Sequence, residues 1–232
     1  MKNPVKTSLG IDSATRIGSV ALLEGERIIG EHSFLAEMSQ SERLIPAINT
    51  VLTEADTERG DLNQVTASTG PGSFTGLRIG LSVAKGLCHA LEIPLRGIPL
   101  TRAYYSRVRH YPGPVCTVIA DRRNLVYYAV FAAGKQLVEE KSRPVEEMVL
   151  EVQQICKDLD YPVFYLGDGV LEHERAIAGS EGARLASGRL NYPSAAQIAL
   201  LALTDDFEDE VNTVEPLYAQ RPVAEKEFEQ SS

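Results

Sequence analysis

The sequence is poor in the residues that build metal centres and disulfide frameworks. It contains 3 cysteines and 4 histidines in 232 residues, and no HExxH motif or cysteine pair at metal-ligand spacing occurs. An odd number of cysteines without such spacing is typical of small, reduced core residues in a cytosolic protein. We therefore expect no metal site in this chain, and in particular no metalloprotease site.

The chain also lacks an excess of positive charge and a long apolar run. Its formal charge is −9, from 23 basic and 32 acidic residues, whereas a protein that coats a nucleic-acid duplex is usually basic. No segment approaches the roughly 18 to 20 apolar residues that span a bilayer, and the first residues show no apolar core of a secretory signal. These features predict a cytoplasmic protein that contacts no membrane and binds no nucleic acid alone.

Charge is unevenly distributed along the chain. Residues 200–232 contain nine acids and two bases, which predicts an acidic tail. Residues 62–120 contain six bases and one acid, Glu92. This positive stretch is either a solvated charge pattern or a surface that faces an anion, such as nucleotide or tRNA phosphate. Three of its arginines would test the second interpretation: Arg102, Arg107 and Arg109.

Hydrophobic periodicity predicts two lobes with the same order of elements: three strands, a helix, a strand and a helix. In the first lobe the predicted strands are 7–12, 17–23, 27–33, 64–68 and 93–98, and the helices are 41–55, 75–91 and 100–109. In the second the strands are 115–120, 125–132, 136–140 and 163–166, and the helices are 145–159, a short one after residue 169, and 195–203. The punctuated segment Tyr111–Pro114 predicts domains 1–110 and 111–232. This pattern matches an α/β class, the duplicated actin-like ATPase (ASKHA) fold, in which each lobe is a mixed sheet flanked by helices.

Two turns of the first lobe are candidates for binding a nucleotide or another anion. The loop GPGSFTG at 70–76 lies between a strand and a helix, where backbone N–H groups and the helix dipole favour an anion. It lacks the lysine of a P-loop and the glycine spacing of a dinucleotide fingerprint. The first hairpin, 10–15, is the phosphate-gripping turn of the actin-like fold. The candidate residues are Asp12, Thr15, Gly70, Gly72, Ser73, Thr75, Gly76 and Arg78.

Both turns also have a purely structural interpretation. The glycine-rich loop can be a tight strand-to-helix joint, and Asp12 can simply stabilise a hairpin turn. In the second lobe, Arg122 and Arg123 occupy a turn where an active phosphoryl-transfer enzyme needs small residues. This disfavours a self-sufficient kinase, and a peptidase is disfavoured because Ser73 has neither a GxSxG elbow nor an evident histidine base. The kinase and the peptidase remain the alternatives.

The helix at 75–91 carries a stripe of small residues at every fourth position: Gly76, Gly80, Ala84 and Cys88. Each interior glycine costs about 0.5–1 kcal/mol relative to alanine, so another backbone should approach closely along the stripe. That backbone belongs either to the chain's own sheet or to a partner that also meets the helix at 41–55. The partner-interface candidates are Leu44, Ile48, Leu52, Gly80, Leu81, Ala84, Lys85 and Cys88.

Several motifs together resemble one family over essentially the whole chain. The segment GPGSFTGLRIG at 70–80, with the following AKGL at 84–87, is similar to the signature of the TsaB (YeaZ) family. The resemblance extends to four further segments: Ile11–Thr15, Arg43–Pro46, Asp121–Tyr127 and Pro216–Arg221.

This resemblance implies a non-catalytic dimerisation subunit of the bacterial complex that makes threonylcarbamoyladenosine in tRNA. The complex transfers threonylcarbamoyl from its adenylate to the adenosine beside the anticodon of tRNAs that read codons starting with A. Its catalytic, metal-binding subunit is the paralogue TsaD, and its ATPase partner is TsaE. The resemblance implies pairing with TsaD, or with a second copy when alone, through the helices at 41–55 and 75–91. It also implies tRNA contact only through the complex, no cofactor for this chain alone, and room for ATP or ADP at the complex interface.

Overall fold

The structure, a computed structural model, describes residues 6–36, 40–204 and 213–217. Much of the predicted acidic tail, including Tyr218–Arg221 of the closing motif, lies outside these residues. In the described part the chain forms two five-stranded mixed sheets with helices packed against them.

The first sheet contains β1 to β5 in the order β3-β2-β1-β4-β5. Its strands are β1 Thr7–Asp12, β2 Ile17–Glu24, β3 Arg27–Leu35, β4 Gln64–Gly70 and β5 Leu95–Pro99. The helices in this part of the chain are α1 Gln40–Glu54, α2 Phe74–Leu91 and α3 Leu100–Ser106, with a 3₁₀ turn at Arg59–Asp61. Strands β1 to β3 pair antiparallel, whereas β4 pairs parallel with β1 and β5.

The second sheet contains β6 to β10 in the order β10-β9-β6-β7-β8. Its strands are β6 Val115–Ala120, β7 Leu125–Ala132, β8 Lys135–Pro144, β9 Phe164–Leu166 and β10 Arg184–Leu185. The helices that follow are α4 Val145–Cys156, α5 Asp168–Glu172, α6 Glu174–Ala178 and α7 Ala195–Thr204, with a 3₁₀ turn at Gly188–Asn191. Read from its far edge, this sheet repeats the strand order and pairing directions of the first. The repeat confirms the duplicated actin-like fold.

Apolar side chains form a separate core in each lobe and a third between the sheets. The first core joins β1, β2 and β4 to α1 and α2, and the second joins β6 and β7 to α4. The third contains side chains of α3, α7, β6 and the hairpin after β1. Strand β6 contributes to the second and third cores, and Ala14, just after β1, belongs to the third core, so the third core connects the end of β1 to β6.

The division into domains at residue 110 stays a prediction. Near the end of the described residues, the chain returns from the second lobe and packs on the first. The two sheets lie on either side of the division, but α7 packs against β1, β2 and β4 of the first sheet. A Cβ on Gly10 would lie 2.3 Å from the carbonyl oxygen of Ala195, so the first turn of α7 rests directly on β1. Val214 also belongs to the first-lobe core, and the Leu217 N–H donates to the Thr69 carbonyl at 2.7 Å.

Most predicted elements are present, and the differences fall at their ends. Helix α3 ends at Ser106 rather than at residue 109 because the N–H groups of Arg107 and Val108 bond to carbonyls three residues back, in tighter turns. Strand β8 is longer than predicted, since its pairing with β7 continues to Pro144. The two-residue β10 and the helix α6 were not predicted. Within the described residues, no helix has the length and apolarity to cross a bilayer.

Candidate functional site

The first hairpin is stabilised by its own polar side chains. Asp12, the last residue of β1, is fully buried, and its Oδ1 accepts the Ala14 N–H at 3.1 Å. Thr15 donates its hydroxyl to the Ile17 carbonyl at 3.0 Å and accepts the Ile17 N–H at 3.2 Å. Asp12 and Thr15 are thus brought together, as the sequence predicts, and they hold the turn in the way its structural interpretation requires.

The glycine-rich loop packs directly on this hairpin. The Ser73 N–H donates to the Ala14 carbonyl at 2.7 Å. A Cβ on Gly72 would lie 2.2 Å from the same carbonyl oxygen, so only glycine fits there. Ser73 caps α2, because its hydroxyl oxygen accepts the Gly76 N–H at 3.2 Å. The loop therefore serves as a strand-to-helix joint, and some of its donors are used inside the chain.

The remaining loop candidates divide into buried and exposed positions. Gly70 and Gly76 are buried, whereas Thr75 and Arg78 lie on the exposed side of the first turns of α2. The Arg78 guanidinium stacks 3.7 Å above the ring centroid of Phe74, which is a cation–π arrangement. Ser73 is exposed as well, but its hydroxyl oxygen already caps α2.

The small-residue stripe of α2 faces the chain's own first lobe. A Cβ on Gly80 would lie 2.1 Å from the Ser13 Oγ, and this hydroxyl donates to the Gly76 carbonyl at 2.8 Å. Ala84 and Cys88 belong to the first-lobe core. The stripe is therefore covered by the chain's own first lobe, and at Gly80 the group that approaches closely is the Ser13 side chain rather than a backbone.

This burial corrects the choice of interface residues. Seven of the eight candidates are buried in the chain's own core and offer no surface: Leu44, Ile48, Leu52, Gly80, Leu81, Ala84 and Cys88. Helix periodicity put them on one face of each helix, but that face packs on the sheet. Lys85 is half-exposed, and Ile45 on the outer face of α1 is 50% exposed. Contact between α1, α2 and a partner stays a prediction, and it now concerns their outer faces.

The second lobe closes its corresponding turn with a carboxylate. A Cβ on Gly167 would lie 2.1 Å from the Val118 carbonyl oxygen, so the loop after β9 rests on β6. Asp168 Oδ1 then accepts the Ala120 N–H at 3.1 Å. The side chains of Arg122 and Arg123 are exposed rather than folded into this space. An N–H donor at the end of β6 is thus taken by the chain itself.

Two acids and a tyrosine lie where the lobes meet; Asp12 and Tyr104 are buried, and Asp168 is half-buried. Burial raises the pKa of Asp12 to about 6, opposed by hydrogen bonds from Ala14, Ser68 and Ser13. Burial, with smaller effects from the charges of Glu172 and Asp12, raises the pKa of Asp168 to about 7. The pKa of Tyr104 is raised by burial and then by the charges of the same two aspartates.

Sequence reasoning missed Asp168, Tyr104 and the buried Asn191. The Asn191 side chain accepts the Gly167 N–H at 3.1 Å and donates to the Ala186 carbonyl at 2.8 Å. For Asp168 a signal existed, since an acid between two glycines at the end of a strand is typical of a turn with special geometry. Nothing local in the sequence marks Asn191, because its partners come from a different element.

The arginines of the positive stretch have different roles. Arg107 donates to the carbonyls of Tyr192 at 2.7 Å and Arg189 at 2.8 Å, and burial lowers its pKa. Its guanidinium therefore holds the segment before α7 instead of facing an anion as the sequence suggested. Arg102 and Arg109 are exposed, and their role toward an anion stays a prediction. In the described ranges no group of three or more His, Cys, Asp or Glu residues is arranged to hold a metal ion.

Comparisons with known proteins agree on one family. The protein-family model described as "TsaD: tRNA N6-adenosine threonylcarbamoyltransferase" matches residues 34–227. The chain is 27% identical over 227 residues to the tRNA threonylcarbamoyladenosine biosynthesis protein TsaB of Bacillus subtilis (strain 168), covering 97% of this chain and 99% of that protein. It is 34% identical over 125 residues to the TsaB of Escherichia coli (strain K12), covering 53% and 54% of the two chains.

A solved structure gives the same result for the fold. YeaZ from Pseudomonas aeruginosa superposes with a TM-score of 0.70 at 23% identity, covering 92% of this chain and 99% of that one. At this identity the likeness speaks for the fold alone.

Proposed function

Because the chain belongs to the TsaB (YeaZ) family of tRNA threonylcarbamoyladenosine biosynthesis, we propose that it is a non-catalytic subunit that pairs with the catalytic paralogue TsaD. In this role it supports threonylcarbamoyl transfer to the adenosine beside the anticodon of tRNAs that read codons starting with A. It reaches tRNA only through the complex, works with TsaE as the ATPase partner, and pairs with a second copy when TsaD is missing. It needs no cofactor alone, and any ATP or ADP belongs at the complex interface.

One observation carries the non-catalytic part of the proposal. In both lobes the loop after the fourth strand lies on the first hairpin or first strand without space for a side chain. Ser73 N–H bonds to the Ala14 carbonyl in the first lobe, and Ala120 N–H bonds to Asp168 in the second. Both donors lie next to the hairpin turns that grip phosphate in active members of this fold, and in this chain both are bonded internally. Their use inside the chain favours a scaffold over a kinase.

The peptidase alternative has little chemical support. Ser73 is exposed, and its oxygen accepts a backbone N–H to cap α2, which is a structural task. A serine nucleophile needs a neighbouring base that accepts its proton, and no hydrogen bond from a histidine or carboxylate to Ser73 is found within the described residues. Cleavage of a protein substrate by the pure chain, abolished by Ser73→Ala, would favour the peptidase. ATP turnover abolished by Asp12→Asn would favour the kinase.

The outer faces of α1 and α2 are the proposed surface for TsaD. Their inner faces are buried in the first lobe, so a partner can meet only the outer ones. Ile45 projects from the outer face of α1 at 50% exposure, and Lys85 is half-exposed on α2. An exposed aliphatic side chain on a helix offers apolar surface that a partner would remove from water.

Co-purification with TsaD of the same organism tests the proposal, followed by a tRNA modification assay with and without this chain. We expect the chain alone to modify no tRNA and hydrolyse no ATP, and TsaD activity to depend on it. Ile45→Asp should weaken pairing at least tenfold. Leu150→Asp is the matched control, because Leu150 is a 67% exposed leucine on the outer side of α4. TsaD that modifies tRNA equally well without the chain would contradict the proposal.

A further inference from the structure

Within its described residues, the chain connects the two lobes twice. The first connection, 107–114, leads from α3 to β6, and the second, 192–194, leads from the 3₁₀ turn Gly188–Asn191 to α7. A change in the angle between two lobes is absorbed by the few residues that connect them. Whatever fixes these two connections therefore fixes the orientation of one lobe relative to the other.

The second connection is short and is anchored at both ends. The Asn191 side chain accepts an N–H of the loop after β9 at 3.1 Å, which ties this end to the second lobe. The Ser194 hydroxyl donates to Oε1 of Glu31 on β3 at 2.7 Å, which ties the other end to the first. Tyr192 and Pro193 lie between the anchors. Because the ring of Pro193 fixes its own φ and keeps Tyr192 extended, a hinge here turns mainly about Tyr192.

The guanidinium of Arg107, at the start of the first connection, binds the backbone of the second. Its Nη1 donates to the Tyr192 carbonyl at 2.7 Å, and its Nη2 donates to the Arg189 carbonyl at 2.8 Å. Nη1 also lies 3.4 Å from the carbonyl oxygen of Leu190, a weaker contact. The two short bonds are charge-assisted, and one of their acceptors is the hinge residue itself.

Tyr104 supports the same contact from the preceding turn of α3. Its side chain is fully buried, and its hydroxyl donates to the Asn191 carbonyl at 3.4 Å. The Arg107 N–H bonds to the Tyr104 carbonyl at 3.2 Å, so both side chains project from one hydrogen-bonded turn. Together they engage four consecutive carbonyls, those of residues 189–192.

This contact differs in kind from the apolar core between the sheets. Apolar burial opposes separation of the lobes but is not directional. A guanidinium holds its donors in a rigid planar fork, so two bonds to two carbonyls set an angle as well as a distance. The Arg189 and Glu31 side chains also approach each other across the lobes, at 3.8 Å, but Arg189 is 91% exposed and such a pair contributes little.

We propose that Arg107 locks the hinge at Tyr192 and Pro193 and thereby holds the two lobes at one fixed angle. The lock joins the two connections to each other, so neither can turn alone. Without the guanidinium, each lobe keeps its own apolar core while the angle between the lobes becomes free. This inference goes beyond the proposed function and does not depend on pairing with TsaD.

Residual dipolar couplings of the backbone amides test the lock in the full chain, measured for the natural protein and for Arg107→Gln. In the natural protein, one alignment tensor should fit the amides of both sheets. In Arg107→Gln each sheet should need its own tensor, with axes rotated by an angle on the order of 15°, the scale of rigid-body rotations in proteins. Glutamine has a single amide group in place of the fork, so it cannot hold both carbonyls. Within each sheet the couplings should still fit one rigid body.

Two further variants complete the test. Arg107→Lys keeps the charge but replaces the fork with one ammonium group, and it too should need two tensors; its result decides the question if Arg107→Gln does not fold. Arg109→Gln, which changes an exposed arginine two residues later, is the matched control and should keep one tensor. A natural protein that needs two tensors would overturn the proposal. So would a folded Arg107 variant that fits one tensor and differs only in melting temperature, because Arg107 would then affect stability without setting the angle.

Discussion

The two lobes share one topology but close their cleft-facing turns with different chemistry. In the first lobe, backbone meets backbone, as the Ser73 N–H donates to the Ala14 carbonyl and Gly72 leaves no gap. In the second, the donor is on the strand side instead: the Ala120 N–H at the end of β6 donates to the side chain of Asp168 in the loop after β9. In the first joint a carboxylate, Asp12, only stabilises the hairpin on which the loop rests, whereas in the second the carboxylate of Asp168 makes the joining contact itself. The duplicated fold therefore makes one joint between backbone groups and the other with a side chain.

The helices that follow these joints differ as well. Helix α2 has 18 residues and is capped by Ser73, whereas α5 and α6 have 5 residues each, and neither has a capping side-chain hydrogen bond. A long capped helix that buries one face is stabilised along its whole length. Helix α5 depends on the bond from Ala120 to its Asp168 and on Asn191, which accepts the N–H of its N-cap Gly167, whereas α6 packs through Ile177 in the second-lobe core. The first lobe should accordingly tolerate loss of a single polar group better than the second.

The largest expected effect is the loss of the close contact in either lobe. Gly72→Ala and Gly167→Ala would each place a Cβ within 2.2 Å or 2.1 Å of a backbone carbonyl oxygen that cannot move aside. We expect each to lower the free energy of unfolding by about 3 kcal/mol or more, measured by urea denaturation. Gly60→Ala is the control, because a Cβ there meets nothing within 4 Å. If only one of these two variants were less stable than the natural chain, the close contacts of the two lobes would not be equally important for stability.

A smaller effect should distinguish the lobes. Asn191→Ala removes two hydrogen bonds and leaves the buried Gly167 N–H without its partner. We expect a loss of about 2 kcal/mol in the free energy of unfolding. Ser73→Ala, which removes the cap of α2, should cost about 1 kcal/mol. Equal losses for the two variants, measured under the same denaturing conditions, would contradict the idea that the second lobe relies more on one polar residue.

Replacing each of two glycines of α2 with alanine should change the stability of the protein in opposite directions. Gly80→Ala would push a Cβ to 2.1 Å from the Ser13 Oγ, and because that side chain can rotate at the expense of its bond to Gly76, we expect a loss of about 1–2 kcal/mol. Gly86→Ala meets nothing within 4 Å and should raise stability by about 0.5–1 kcal/mol through helix propensity. Thermal denaturation of both variants checks the pair. If Gly86→Ala were less stable than the natural chain, this side of α2 would have to be in contact with another part of the protein or with a partner.

The smallest effect is expected for the ion pair between Arg16, on the turn after β1, and Glu172 on α5. Arg16 and Glu172 are 3.7 Å apart, and their side chains are largely exposed, with 73% and 37% of their surfaces accessible. Arg16→Gln should change the free energy of unfolding by less than about 0.5 kcal/mol, and less still at high salt. If denaturant titrations showed a loss of more than about 1 kcal/mol in the free energy of unfolding, this exposed ion pair, rather than the apolar core between the sheets, would hold the lobes together.

The sequence predicted the fold well because its signals are local. The ends of β1, β6 and β7 follow from alternation and turn residues, and the repeated order of elements follows from those strands. The stripe at Gly76 and Gly80 indicated a close approach, but at Gly80 a side chain approaches rather than the expected backbone, and periodicity cannot tell which group it is. That depends on Ser13, which lies 63 residues from its hydrogen-bond partner Gly76.

The contacts between the two lobes could not be predicted from the sequence for the same reason. Asp12 was noticed as a turn residue, but its burial and its effect on the pKa of Asp168 involve positions more than 150 residues apart. Arg107 was counted as part of a positive stretch, whereas its charge is directed at backbone carbonyls near Tyr192. Charge counts along a chain do not reveal which cations are already in use. Such assignments need the three-dimensional partners of each group.

The return of α7 to the first lobe has a consequence for how the protein is made. A ribosome releases the chain from its first residue onward, so the strands of the first sheet leave the exit tunnel long before Ala195 is synthesised. Until then, Ala21 and Leu23, which pack with Ala195, Ala196 and Ala199, have no cover. A nascent chain that has completed only its first half must keep this apolar face from aggregation. The first lobe is therefore the first to be synthesised and among the last to be finished.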